Sequence, residues 1–517
     1  MATIRLDQKT YDNFSGGYTC EQAYFTEKIV SFIGDSKNVD IYASSNNNGY
    51  GFKKMLGNTL FQKIEGEKIV GLFKYEYAKD KTYLIIHTVN DTEGKIYYLD
   101  NNSNVKLLKR GLDKNAKNGS FINFSQTLPD RRYLGIFGNG VDPFIKVELG
   151  ANPEIEIIDE RDSEDRQVRS NILEVFYGRV FCGNEDRIHW SKSLDPFNWS
   201  AEGDAGWVQL DGDIVAITTY SGGLIISTKK STYYLAKDQT SNGFTTTVLS
   251  PNHAISSRGI LKHDNYALYI AEDGIYPVNV TQENTKKVDE DISWCIQNWI
   301  AKRDLTKNDN IFSLSITVQG RNEVWFHIPI NGDNEHSYLF VYRFITGRQS
   351  HYYWLPPRVQ PKINCLIEFN GMILSGNDNG EILQELKGNT FNGSPISAIA
   401  EFPELDFNGT HNKQKFKLFA YVEAQENNNF YLDYFFDGDL NPDRQEVISG
   451  DDPSMLVWDN DDWDSEESLW AWEVLMECML DKPRKHNRLR LRFVAQDSSQ
   501  DFTINKLSTT RVKVKNK

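Results

Sequence analysis

The sequence predicts an all-β protein that contains a β-propeller of about six to eight blades and a C-terminal antiparallel β-sandwich. Aromatic residues make up 13% of the 517 residues, with 25 Tyr, 29 Phe and 11 Trp, as is typical of strand-rich chains. A pair of short strands joined by a Gly, Asn or Asp turn recurs roughly every 45 to 55 residues, which is the range of propeller blades. Longer strands of alternating hydrophobicity follow after Lys387 and favour a separate sandwich.

The predicted domains are an N-terminal arm (1–27), the propeller (28–390) and the sandwich (391–517), which carries an insertion at 450–473. A chain of this length is too long for one ordinary core, so at least two packing units are expected. No stretch of about 18 apolar residues occurs, so we expect no membrane insertion. The first residues lack an apolar signal core, which argues against secretion by that route.

The N-terminal arm has a flexible centre at Phe14-Ser15-Gly16-Gly17-Tyr18. We predict that Phe14, Gly16 and Gly17 contact a neighbouring subunit. Terminal disorder explains the same composition equally well.

The repeat recurs seven times between Tyr83 and Leu386, and an earlier blade is predicted near Ile69–Tyr77. The recurrences begin near Tyr83, Tyr133, Leu173, Leu224, Tyr266, Val324 and Ile367. A pair of β-sandwiches would use the same strands and stays open as the alternative architecture.

The most informative stretch runs from Leu173 to Leu235 and reads as a blade and a half. Its turns are predicted at Tyr177-Gly178-Arg179, at Asp195-Pro196 and at Asp211-Gly212-Asp213. The segment from Ser193 to Trp199 matches the Asp-box turn of sialidase-type propellers only in part. An Asp box is a structural turn, so these residues are predicted to be framework.

One amphipathic helix is predicted among the strands, with Asp289 or Asp291 as its cap. Its apolar residues recur at helical spacing, at Ile292, Cys295, Ile296, Trp299 and Ile300. We expect the helix to pack on the side of the propeller. Contact with a partner chain through Trp299 is the alternative.

The C-terminal region contains two surfaces of opposite charge. The insertion carries nine acidic residues between Asp451 and Glu473 and no basic residue, and Trp458, Trp463, Trp470 and Trp472 interleave with the acids. The strand that follows bears Arg488, Arg490 and Arg492, which alternate and therefore project to one face. We predict that these Trp and Arg residues contact a subunit or partner. The two surfaces meet either within one subunit or across a subunit boundary, and DNA is a further candidate for the arginines.

The sequence predicts no catalytic, metal or cofactor site. No HExxH, CxxC or GxxxxGK[ST] motif occurs, and the acidic run from Asp459 lacks the Gly and Glu of a Ca²⁺-binding loop. The net charge of −15 argues against wrapping nucleic acid but is compatible with a channel through which DNA passes. Five scattered cysteines predict buried thiols and a reducing compartment.

The segment from Gly178 to Leu235 resembles a run in tail hub or nozzle proteins of short-tailed bacteriophages, also called packaged-DNA stabilisation or tail tubular proteins. The similar residues are Gly178-Arg179-Val180-Phe181, Ile188-His189-Trp190-Ser191, Asp195-Pro196-Phe197-Asn198-Trp199, Asp211-Gly212-Asp213-Ile214-Val215-Ala216-Ile217, Leu224-Ile225-Ile226-Ser227-Thr228 and Tyr233-Tyr234-Leu235. About sixty residues are covered clearly and the rest of the layout only loosely. Those proteins also look like this chain in having a Gly-Gly arm near the start, a propeller and a terminal sandwich with a Trp-bearing loop.

The resemblance implies a structural virion protein of the tail that is not an enzyme and is assembled in the host cytoplasm. It implies a homo-oligomeric ring, usually six-fold, with the portal–adaptor ring proteins and distal tail proteins as partners. Packaged double-stranded DNA would pass through the lumen without sequence-specific binding, be retained there and be released at ejection. A glycan-binding or glycan-cleaving propeller on the tail or cell surface is the alternative. A bacterial propeller scaffold unrelated to phage is a third possibility.

Overall fold

The computed structural model confirms the all-β prediction. It describes residues 6–20, 25–26, 28–43, 49–78, 81–100, 104–116, 118–125, 133–150, 153–159, 161–200, 204–238, 243–280, 286–317, 320–345, 351–406, 414–423, 429–449, 473–479 and 488–513. Nearly all regular structure in these ranges is antiparallel β-sheet. No helix in the described part of the chain is long and apolar enough to span a membrane.

The strands are numbered here in chain order. The N-terminal strands are β1 (Leu6–Tyr11), β2 (Val39–Ala43), β3 (Tyr50–Lys54) and β4 (Asn58–Lys63). The next twelve are β5 (Lys68–Ala78), β6 (Lys81–Val89), β7 (Gly94–Leu99), β8 (Val105–Leu112), β9 (Ser120–Ser125), β10 (Tyr133–Gly138), β11 (Phe144–Leu149), β12 (Pro153–Ile158), β13 (Leu173–Phe176), β14 (Arg179–Asn184), β15 (Arg187–Trp190) and β16 (Gly206–Gln209).

The middle of the chain continues this pattern with one short helical interruption. Its elements are β17 (Ile214–Tyr220), β18 (Gly223–Thr228), β19 (Thr232–Lys237), β20 (Phe244–Ser250), β21 (Ile260–His263), β22 (Tyr266–Ile270), β23 (Ile275–Val280), β24 (Lys286–Val288), helix α1 (Gln297–Ile300), β25 (Phe312–Ile316), β26 (Glu323–His327), β27 (His336–Ile345), β28 (His351–Trp354), β29 (Arg358–Pro361), β30 (Cys365–Phe369), β31 (Met372–Gly376) and β32 (Glu381–Glu385). Short 3₁₀ turns lie at Trp294–Ile296 and Asn308–Asn310.

The C-terminal strands complete the fold. They are β33 (Thr390–Phe391), β34 (Ser394–Pro395), β35 (Ala398–Glu401), β36 (Leu405–Asp406), β37 (Gln414–Glu423), β38 (Asn429–Phe436), β39 (Arg444–Ser449), β40 (Glu473–Met479), β41 (Arg488–Ala495) and β42 (Thr503–Lys513).

The chain forms two compact units, of which one comprises residues 59–339 and 361–385. This unit is a propeller, because seven antiparallel sheets succeed one another along it and their innermost strands contact each other in a ring. The inner strands are β5, β9, β13, β17, β21, β25 and β30, and β30 also contacts β5. In the seventh sheet, β32 pairs with β4, a strand from the chain that precedes the first sheet, so the ring is closed.

Each predicted recurrence corresponds to one sheet, which places the blade number within the predicted range. The segment near Ile69–Tyr77 is strand β5 of the first sheet and pairs with β6, so it is not an additional blade. Strand β27 begins in the propeller unit, and its residues from 340 onward belong to the other unit.

The core of the propeller lies between successive sheets. Between the third and fourth sheets, Phe181, Ile188, Leu224 and Ile226 are all buried in one apolar cluster. Similar clusters join the seventh sheet to the first, the first to the second, the second to the third and the fourth to the fifth. Both faces of each sheet are buried against neighbouring sheets, and this explains why the sequences of these strands are short apolar runs.

The second unit comprises residues 1–58, 340–360 and 386–517, and it contains the predicted sandwich. One sheet has the strand order β2-β3-β42-β37-β40, with β1 also paired to β42, and the other has the order β35-β41-β38-β39. Phe52 of the first sheet packs against Phe493 of the second at a ring-centroid distance of 5.6 Å.

This division differs from the predicted boundaries. Residues 28–58 were predicted to be part of the propeller, which was expected to span 28–390. They belong instead to the sandwich unit, because β2 and β3 extend its first sheet. The predicted arm is also part of this unit, since β1 pairs with β42 along its whole length. Backbone pairing between the two ends of the chain leaves no local sequence signal, so the prediction missed it.

Candidate functional site

The first hairpin of the Leu173–Leu235 segment turns tightly at Tyr177 and Gly178. Both residues have positive φ, at 54° and 68°, and Phe176 pairs directly with Arg179. This is the geometry of a two-residue type I′ turn, which matches the right-handed twist of the paired strands. The amide of Leu194 donates to the carbonyl oxygen of Gly178 at 2.8 Å and attaches the following loop to the turn.

Arg179 binds the loop that follows strand β15 from a buried position within the third blade. Its side chain is buried, and its Nη1 donates to the carbonyl oxygens of Ser191 (3.1 Å) and Asp204 (2.6 Å). Its Nη2 lies 2.5 Å from Oδ2 of Asp204. Burial alone would raise the pKa of Asp204, but hydrogen bonds from the Ser193 amide and Arg179, with the charge of Arg179, lower it. The pair therefore stays ionised and holds the loop after β15 against strand β14.

The other conspicuous residues of the segment are also framework. Trp199 is buried, and its ring lies 6.0 Å from that of Phe144 in the second sheet. Asp211 accepts hydrogen bonds from the hydroxyls of Thr228 (2.9 Å) and Ser231 (3.0 Å), which hold the turn between β18 and β19. The side chains that make the segment recognisable therefore position the backbone of two blades.

The predicted contact residues of the arm lie inside the sandwich unit. Phe14 is fully buried, and its ring lies 4.8 Å from that of Phe52. A Cβ on Gly16 would lie 2.5 Å from the carbonyl oxygen of Val30, and one on Gly17 would lie 2.5 Å from that of Trp354. These residues are needed for close packing within the chain, so Phe14 presents no surface to a partner.

The predicted helix is shorter than the Ile292–Ile300 pattern indicates. A 3₁₀ turn covers Trp294–Ile296, and α1 covers only Gln297–Ile300. Asp291 does not cap it, since its Oδ1 accepts from the amides of Ser293 (2.7 Å) and Ile275 (3.0 Å) and ties the turn to strand β23. Trp299 is partly buried, and its ring lies 5.6 Å from that of Tyr338, so it packs on the propeller side as expected.

The three arginines of β41 project to one face, as predicted, and each meets an acidic group of its own chain. Arg492 lies 2.8 Å from Asp433, Arg490 lies 2.8 Å from Glu401, and Arg488 lies 3.3 Å from Glu404. Their charges are thus neutralised within the sandwich unit. Trp458, Trp463, Trp470 and Trp472, with the rest of the insertion at 450–472, lie outside the described residues.

The cysteines differ in part from the prediction of buried thiols. Cys182 and Cys365 are buried, and burial raises the pKa of Cys365 to about 12. Cys295 is partly buried and Cys20 is exposed. Within the described ranges, no group of three or more His, Cys, Asp or Glu side chains is placed to hold a metal ion.

The propeller unit contains a polar cavity of about 540 Å³ that was not predicted from the sequence. It lies where four inner strands begin, and Lys68, Arg258, Asn310 and Asn364 at or just before those strands line it. The lining residues come from strands and loops of the first, fifth, sixth and seventh sheets and from the loop that connects the first sheet to the second. No spacing motif signals the cavity because only ring closure brings these loops together.

His327 lies in one wall of the cavity, where its ring is held in place. Its ring stacks on Phe312 at a centroid distance of 4.3 Å, and its nitrogens contact the carbonyl oxygen of Asn310 (2.8 Å) and the hydroxyl of Ser337 (3.0 Å). Burial lowers the pKa of His327 to about 4, so the imidazole is neutral near pH 7. It therefore orders the wall and adds no positive charge.

Comparison with known proteins identifies no family. No protein-family model matches the sequence, and no curated protein does. Among solved structures, the computationally designed Ika8 protein is similar with a TM-score of 0.34 and 11% identity, over 64% of this chain and 99% of that chain. A similarity this low carries no argument about function.

Proposed function

We propose that this chain is a structural subunit of the tail of a short-tailed bacteriophage, at the hub or nozzle. Copies of the chain form a ring, six-fold as is usual in that family, which extends the DNA channel below the portal and adaptor. The ring retains the packaged genome and takes part in its ejection. The proposal rests on the Leu173–Leu235 segment, whose resemblance to such proteins is the most specific feature of the sequence.

The role of that segment in the fold supports the proposal. Arg179, Asp204 and Trp199 hold the third blade together through buried contacts, as expected for residues with an architectural role. A propeller and a sandwich in one chain are also the layout that the resemblance implies. The net charge of −15 favours a channel wall that repels DNA phosphates, so that the genome slides without adhering.

The decisive experiment is a nonsense mutation in the gene that encodes this chain, in the phage that carries it. We expect particles made without the chain to lose packaged DNA, and plasmid-borne wild-type chain to restore retention. Immunogold labelling of intact particles should place the chain at the tail, and a symmetry-resolved image should show the ring. Purified infectious particles that lack the chain would contradict the proposal.

The polar cavity favours a second candidate, a glycan-binding propeller. Its lining includes the amides of Asn90, Asn115, Asn118 and Asn334, which are suitable partners for hydroxyl groups. A glycan array with the purified chain, followed by a hydrolysis assay on any glycan that binds, tests this candidate. The absence of both glycan binding and glycan hydrolysis would rule out the glycan-binding candidate.

A further inference from the structure

The propeller cavity has an excess of positive charge on its wall. Its lining includes five basic residues, Lys68, Lys114, Arg258, Lys307 and Lys362, and three acidic ones, Asp91, Asp333 and Asp378. The chain as a whole has a net charge of −15, so the excess of basic residues on this concave surface is opposite in sign to the charge of the protein. A concave wall concentrates the field of its charges, so this surface attracts anions.

Ion pairs neutralise only part of this charge. Lys362 lies 2.8 Å from Asp378, and Lys307 lies 2.9 Å from Asp304 outside the lining. Among the described residues, no carboxylate oxygen lies within 4.0 Å of the basic nitrogens of Lys68, Lys114 or Arg258. Lys114 donates to the carbonyl oxygen of Asp91 at 2.9 Å, which positions its ammonium group without neutralising it.

Arg258 is the most rigid of these three residues. Its Nη1 donates to the carbonyl oxygen of Asn364 at 3.0 Å, and its Nη2 donates to that of Asp309 at 2.9 Å. Its guanidinium also lies over the ring of Phe312, 5.4 Å from the centroid. Two neutral carbonyls and a ring hold the planar cation in place, while the charge of Asp309 acts on it without a direct ion pair.

We propose that this cavity binds a small phosphorylated molecule, with Arg258, Lys68 and Lys114 as the cationic contacts. A fixed guanidinium and two ammonium groups around a concave space are suited to the several oxygens of a phosphate group. A volume of about 540 Å³ is larger than one phosphate needs, so the ligand carries a further polar portion against the asparagine amides. This inference does not depend on a role in a phage tail.

The test is isothermal titration calorimetry of the full chain with pyrophosphate, inorganic phosphate and a neutral disaccharide. We expect pyrophosphate to bind, phosphate to bind more weakly, and added salt to weaken both. The double substitution K68Q/K114Q should weaken pyrophosphate binding about tenfold or more. Both lysines are exposed, so this variant is expected to fold normally.

The matched control is Lys229→Gln, which removes an exposed lysine of the fourth sheet that pairs with Asp213 at 2.7 Å. It should leave binding unchanged. Equal affinity of wild type and K68Q/K114Q for pyrophosphate would overturn the proposal, as would the absence of any pyrophosphate signal at millimolar concentration. Binding of the disaccharide in place of the anions would also overturn it and would favour the glycan candidate.

Discussion

Arg179 and Asp204 form a largely buried ion pair, 2.5 Å apart, that connects the second strand of the third blade to the loop after β15. The same guanidinium donates to two backbone carbonyls, and the indole of Trp190 donates to the carbonyl oxygen of Asp204 at 3.1 Å. The buried guanidinium of Arg179 therefore joins strand β14, the residue that follows strand β15 and the loop at Asp204, all within the Leu173–Leu235 segment.

Replacing Arg179 should destabilise the propeller. R179A leaves Asp204 without its cation, and we expect a loss of about 3 kcal/mol, at the lower end for a broken buried pair because Asp204 is partly exposed. Urea unfolding followed by tryptophan fluorescence measures this loss. Lys146→Ala is the control, since it breaks an exposed pair with Glu156 and should cost about 0.5 kcal/mol.

The same pair predicts a pH dependence with a defined sign. The pKa of Asp204 is lower in the folded chain than in the unfolded chain. The stabilisation from the pair is therefore complete at a pH above the pKa of the unfolded chain, and it is lost as the pH falls through the pKa of the folded chain. The difference in unfolding free energy between wild type and R179A should therefore narrow below about pH 4. A constant difference down to the acid limit of folding would show that the pair does not act through its charge.

The turn at Asn370-Gly371 tests how strictly the hairpins depend on positive φ. Gly371 has φ of 76° and nothing within 4 Å of a Cβ placed on it, so Gly371→Ala would introduce backbone strain alone. We expect a cost of about 1 kcal/mol. Gly212→Ala is the matched control, because its Cβ meets only an ordinary contact at 3.5 Å and its φ is not positive. Equal effects of the two substitutions on thermal unfolding would contradict this account.

Buried neutral histidines should make the propeller sensitive to mild acid. Burial lowers the pKa of His87, His189 and His327 to about 4, whereas unfolding restores their ordinary value near 6.5. Between these values the unfolded chain binds more protons, so stability falls as pH drops from about 6.5 to 4. His87→Leu should reduce the fall in melting temperature over this interval. Val248→Ala, at an exposed position that carries no titratable group, should leave it unchanged.

The aromatic core of the sandwich unit should depend strongly on Phe52. Its ring lies within 6 Å of those of Phe14, Phe32, Phe402, Phe493 and Phe502. Phe52→Ala should cost about 3 to 5 kcal/mol through lost burial and the cavity left behind. Leu440→Ala, at a side chain that is 89% exposed, is the control for unfolding by denaturant. A small effect of Phe52→Ala would mean that the arm and strand β3 are not integral to this unit.

Most of the fold could be predicted because its signals are local. Alternation, aromatic enrichment and turn dipeptides such as Asn370-Gly371 arise within a few residues, so each of the seven recurrences matched one sheet. The helix at Gln297–Ile300 was overestimated, because Asp291 binds strand β23 and does not act as a cap. The arginines of β41 were correctly placed on one face, but their acidic partners on β35 and β38 are distant in sequence.

The all-β class, the range of blade numbers and the framework role of the Leu173–Leu235 segment could be inferred from the sequence alone. The folded chain was needed to show that residues 28–58 complete the sandwich, that β4 closes the propeller ring, and that Arg258, Lys68 and Lys114 surround one cavity. The two groups of features differ in the range of the interactions that produce them. Strand patterns and turns follow from neighbouring residues, whereas the pairing of β1 with β42 and the cavity lining join segments that are distant in sequence and meet only in the folded chain.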